Sequence, residues 1–163
     1  MTLPPKEIVV GVGDQRVSKD SNDVIATYAL GSCLGITAYD SQKRVGGMLH
    51  AMLPKGNANS GSSSRRSMFI DTGFEDLIKS LTAMGANVAK LEFKVFGGAK
   101  VLEADKFFRI GEKNAEALTN LMAEYGYSPL VWEVGGALNR TIKFDLSTGK
   151  VKVKMPNQPE FYK

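Results

Sequence analysis

The chain has one cysteine, one histidine and one tryptophan among its 163 residues. A single cysteine excludes a disulfide within the chain, and one cysteine with one histidine cannot supply a structural zinc site. A metal centre would have to be assembled from carboxylates, and no clustered acidic motif offers one. No apolar run approaches the roughly 20 residues that cross a bilayer. Met1 to Lys6 holds two prolines and a lysine but no apolar core of a signal peptide. The expectation is a cytoplasmic protein without direct membrane insertion. Concentrated charge is also missing. The 21 basic and 17 acidic residues are spread along the chain, giving a net charge of +4 and a pI of about 9.1. The basic runs are short, such as Arg65-Arg66 and the alternating lysines near the C-terminus. They lack the stripe and interleaved aromatics of a nucleic-acid binder, so no nucleic-acid partner is expected. A mildly basic surface suits an acidic protein partner as well.

The length suits one domain, taken as residues 1–163. Strand patterns cover Glu7–Val12, Val24–Leu30, Leu34–Tyr39 and Arg44–Leu53, with Gly13–Gln15, Ser18–Asp23 and Asp40–Lys43 as turns or loops. Residues 55–66, rich in Ser, Gly and Asn, form a flexible loop by composition: a lid, a docking loop or simple linkage. A helix follows. Thr72 and Glu75 have capping-box spacing, Phe74, Leu77, Ile78, Leu81 and Met84 form an apolar stripe, and Gly85 ends it. Lys90–Phe96 is a further strand. Glu112–Tyr125 is a second helix, capped by Gly126. Leu130–Val134, Thr141–Leu146 and Lys150–Met155 complete about eight strands, and residues 156–163 form a loose tail. Strands adjacent in sequence predict an α+β protein, with an antiparallel or mixed sheet and helices packed outside.

The chemistry centres on the lone thiol and the lone imidazole. Pairing Asp40 with Lys43 across a tight turn places Cys33 directly opposite His50, with Cβ atoms roughly 4.5–5.5 Å apart. An imidazole at that spacing can take a thiol proton. Register decides this, since a slip of one residue turns a side chain to the other face. The competing reading is a buried apolar cysteine and a core histidine with its hydrogen bonds satisfied. Gly31, before Ser32 and Cys33, permits a sharp turn that presents backbone N–H groups to an oxyanion, or else simply breaks the strand.

Several blocks resemble one family. Gly11-Val-Gly-Asp-Gln-Arg-Val-Ser18, Thr27 through Leu30-Gly31-Ser32-Cys33-Leu34-Gly35, and Gly46-Gly47-Met48-Leu49-His50-Ala51-Met52-Leu53-Pro54 are similar to the chemoreceptor glutamine deamidases of the CheD family. Phe96-Gly97-Gly98-Ala99, Ile110 to Asn114, and Gly135-Gly136 through Arg140 to Gly149 resemble its later blocks, in order. The likeness runs from about residue 7 to 153. It implies a β-sandwich-like core with helices outside, related to the deamidating domain of cytotoxic necrotizing factor toxins. It also implies Cys33 as nucleophile, His50 as general base and acid, Thr27 as the third member, and no metal or organic cofactor. The implied substrate is a glutamine on the cytoplasmic part of a chemoreceptor. A CheC-type phosphatase is the further partner implied, so a non-catalytic regulator of such a phosphatase is the alternative function. A cysteine hydrolase acting on some other amide is a third. Asn139 stands where the pattern has glycine; asparagine tolerates a left-handed backbone, so the turn can survive.

Overall fold

The computed structural model describes residues 4–56 and 63–163, without the side chains of Ser63 and Ser64. Among the described residues, ten strands form two five-stranded sheets, and three α-helices accompany them. The first sheet joins β1 (Lys6–Val9), β3 (Asp23–Leu30), β8 (Arg140–Asp145), β9 (Val151–Lys154) and β10 (Phe161–Tyr162), in that order. The second joins β2 (Asp14–Ser18), β5 (Val45–Ala51), β4 (Leu34–Asp40), β6 (Glu92–Gly97) and β7 (Val131–Val134). The β1–β3 and β6–β7 pairs are parallel and the others antiparallel. The α+β expectation holds as a layered sandwich.

Burial shows how the layers stack. Every residue of β4 and β5 is buried, as expected of strands covered on both faces. Leu34, Ile36, Ala38, Leu49 and Ala51 pack with Phe74, Leu77 and Leu81 of α1 (Ile70–Ala83) and with Leu118 and Met122 of α3 (Ile110–Tyr125). Tyr39 and Met48 point the other way, meeting Ile25, Leu30, Ile142 and Phe144 of the first sheet. In β8 the burial alternates residue by residue, so that sheet turns its outer face to solvent. The sheets approach closely where glycine stands. A Cβ at Gly35 would lie 2.8 Å from Leu30, and one at Gly46 2.6 Å from Leu146.

Several expectations need correction. Gly13 is a turn as expected, but Asp14, Gln15 and Ser18 are not turn or loop: Asp14–Ser18 is β2, paired with β5. The helix does not begin at a Thr72 cap. It begins at Ile70, whose N–H donates to Leu53 O, and the Thr72 hydroxyl donates to Arg66 O. A short helix, α2 (Glu103–Phe108), precedes α3 and has no buried residue, so no apolar stripe announces it. The expected loose tail is tied down. Phe161 and Tyr162 pair with β9, and Val151 and Lys163 exchange backbone hydrogen bonds. Of the 55–66 loop, residues 57–62 lie outside the described residues, and Ser63–Met68 forms a 3-10 helix. Asn139 does not use its left-handed tolerance; Gly135 and Gly136 hold the positive φ values there.

Candidate active site

The β4–β5 register differs from expectation by two residues. Asp40 pairs with Val45, not Lys43, and His50 faces Gly35. The turn contains four residues, because the Asp40 carboxylate accepts from the N–H groups of Gln42 and Lys43 and Arg44 takes a left-handed φ of 53°. A shift of two preserves the face of every side chain. The ladder ends at Leu34↔Ala51. Extended by one residue, it would set Cys33 opposite Met52 and diagonal to His50, about 7–8 Å away in regular geometry. Cys33 and His50 are thus not directly opposed, but both belong to the side of the second sheet that faces the first. Cys33 is half-buried against the inter-sheet core.

His50 is 2% exposed. Its Nδ1 lies 2.8 Å from the Thr27 hydroxyl, across the gap between the sheets. That hydroxyl donates its one proton to Val10 O at 2.6 Å. Toward His50 it can only accept, so Nδ1 carries the proton and Nε2 is the bare nitrogen, an assignment set by the hydrogen-bond network. Nε2 is buried and has no hydrogen-bond partner among the described residues. Burial pushes the imidazole down to about 4. Burial also pushes the Cys33 thiol up; its own N–H opposes this, and the charge of Asp105 adds to it. Both groups are therefore neutral at pH 7: a thiol and a free base on one side of the sheet, not a ready ion pair.

The loop around Cys33 is gripped by two segments, one of which is braced in turn by Arg140. Ala99 N–H donates to Gly31 O and Gly98 N–H to Cys33 O, each at 2.9 Å. Asn114 Nδ2 donates to Ser32 O at 3.0 Å. The buried Arg140 holds the Gly97 and Gly135 carbonyls with its two terminal nitrogens. The later glycine blocks thus form the frame of the Cys33 loop. Asn114 and Arg140 are the residues that sequence reasoning left without a role. The signal was present in their motifs, but only the fold shows what they touch. Gly31 does not use left-handed freedom: the positive φ nearby belongs to Ala29, at the bulge in the β3–β8 pairing between Thr27 and Leu30. Ser32 and Cys33 offer backbone N–H groups with no carbonyl partner among the described residues. No group of three or more potential metal ligands, and no helix long and apolar enough to cross a membrane, occurs among the described residues.

Residues 52–155 match the family described as CheD chemotactic sensory transduction. A relative from Pyrococcus horikoshii, "Probable chemoreceptor glutamine deamidase CheD", is 42% identical over 151 residues, 91% of this chain and 92% of its own. The chain belongs to the CheD family. The counterpart from Thermococcus kodakarensis is 41% identical with the same coverage. "Probable chemoreceptor glutamine deamidase CheD 1" of Syntrophus aciditrophicus is 36% identical over 94% of this chain. The family match begins after His50, but these alignments leave too few residues uncovered for Thr27, Cys33 or His50 to fall outside them.

Proposed function

We propose that the chain is a cysteine amidohydrolase that converts glutamine side chains of chemoreceptors to glutamate in the cytoplasm. Its relatives' names supply the substrate class. One observation carries the catalytic assignment: Thr27 orients His50 so that an unpartnered, unprotonated Nε2 remains on the Cys33 side of the sheet. His50 takes the thiol proton as sulfur bonds to the carboxamide carbon, so base and nucleophile act together and no resting thiolate is needed. The N–H groups of Ser32 and Cys33 are the donors offered to the oxyanion. His50 returns the proton to the departing ammonia, leaving a thioester. Water, deprotonated by the same nitrogen, hydrolyses the thioester to glutamate and restores the thiol. Neither a metal nor an organic cofactor takes part.

The test is ammonia release and mass change on a chemoreceptor cytoplasmic fragment, with Cys33→Ser beside the parent. Abolished conversion supports the nucleophile; an undiminished rate removes it.

A second reading, a regulator that binds a CheC-type phosphatase, draws on one feature. On α2 and its leading turn, Leu102, Phe107 and Phe108 are 65%, 81% and 55% exposed. Phosphatase binding without ammonia release from receptor would favour that reading over the enzyme.

A further inference from the structure

Asn114 is wholly buried on α3, yet it faces polar groups. Its Nδ2 donates at 3.0 Å to Ser32 O and at 3.0 Å to Met52 O. These carbonyls belong to the residues beyond the last β4–β5 ladder pair, Leu34↔Ala51. Past that pair the strands separate. Met52 and Leu53 donate their N–H groups to Met68 O, while Gly31 O and Cys33 O are claimed by Ala99 and Gly98. One side-chain amide thus spans the opening between two diverging segments. Ser32 immediately precedes Cys33, and Met52 lies two residues after His50. Both amide protons are used, and a flipped amide would set Oδ1 against two carbonyl oxygens, so the orientation is fixed. Oδ1 itself is buried without a partner among the described residues. A buried unsatisfied acceptor is unfavourable, so filling space does not account for an amide here; the two donors do.

We infer that Asn114 is a positioning residue whose amide bridge sets the separation of Cys33 from His50. The inference rests on the Cys33–His50 reading above. Asn114 acts through the two backbones and touches neither reacting group.

Asn114→Asp keeps the shape and removes both N–H donors; Asn114→Ser is prepared beside it, and whichever variant folds is read. Leu118→Ala, one turn along α3 in the apolar core, is the comparison for mere loss of helix packing. Deamidation of a receptor cytoplasmic fragment and iodoacetamide alkylation of Cys33 are measured per folded molecule. The Asn114 variant is expected to lose kcat by about a hundredfold, as a displacement of about 1 Å at reacting atoms gives, with KM little changed and the pH profile of alkylation displaced. Leu118→Ala should lower Tm and leave both readouts unchanged. Parent-like kcat and alkylation in the Asn114 variant, or an equal loss in Leu118→Ala, overturns the inference. An undiminished rate in Cys33→Ser instead removes the reading beneath it.

Discussion

Thr27 sets the tautomer of His50. Its hydroxyl donates to Val10 O and accepts from the Nδ1–H of His50, which leaves Nε2 unprotonated. Thr27→Val keeps the shape but strands a buried Nδ1–H and a buried carbonyl. The expected loss is about 1–3 kcal/mol of stability, together with a fall in kcat as the ring loses its fixed orientation. Thr27→Ser keeps the hydroxyl and should retain most of the activity. Thermal unfolding and steady-state deamidation of the two variants check this; equal behaviour of Val and Ser would deny the hydroxyl any role.

The buried imidazole also predicts how stability depends on pH. His50 stands near 4 in the folded chain, against about 6.5 in an unfolded one. Between these values the unfolded state binds the extra proton, so stability rises with pH there. The contribution is complete above about pH 6.5 and is lost as pH falls toward 4, amounting to about 3 kcal/mol. Urea unfolding of the parent and His50→Gln from pH 4 to 8 measures it. The parent should lose stability on acidification, and the variant should lack that component.

Cys33 titrates in the opposite sense. Burial and Asp105 raise its pKa, so the thiolate fraction at neutral pH is smaller than that of a free cysteine. Alkylation by iodoacetamide should therefore rise only above the ordinary cysteine range, about pH 8.5, in the absence of substrate. Asp105→Asn removes one raising influence and should move the profile modestly downward. A profile with its midpoint well below pH 8 would mean that a thiolate–imidazolium pair already exists at rest, contrary to the neutral pair described here.

Much of this was readable from residue patterns, and the failures have local causes. Cys33 and His50 stand out as the lone thiol and the lone imidazole, and their common side of the second sheet survives a register error because the error is two residues. Thr27, on the first sheet, enters through the family resemblance alone. The error itself came from Asp40. Its carboxylate folds over the turn to bind Gln42 and Lys43 N–H, lengthening a turn that composition alone presents as two residues. Strand β2 escapes a reading by composition because Asp14 and Ser18 are turn formers, and only pairing with β5 overrides them. Helix α2 buries nothing, so it has no apolar period; the Asp105 carboxylate holds its start by accepting from Val101 and Leu102 N–H. The tail strand β10 depends on main-chain bonds to β9, which side-chain identity does not reveal. Asn114 and Arg140 act on carbonyls distant in sequence, a kind of contact without periodicity.

The closest approach around the Cys33 loop yields a paired prediction. Gly97 has φ of +106°, and a Cβ there would lie 2.2 Å from Cys33 O. Gly126, the C-cap of α3, has φ of +80° with nothing within 4 Å of its Cβ position. Gly126→Ala therefore incurs only the left-handed backbone penalty, about 1–2 kcal/mol, or about 2–8 °C in Tm for a chain of this size. Gly97→Ala incurs the same kind of penalty and must also push back the Cys33 carbonyl, which Gly98 N–H holds in place. Its Tm should fall further than that of Gly126→Ala, and only Gly97→Ala should change the rate at which Cys33 is alkylated. Equal Tm losses with unchanged alkylation in both would show that the Gly97 turn yields freely and does not fix the thiol.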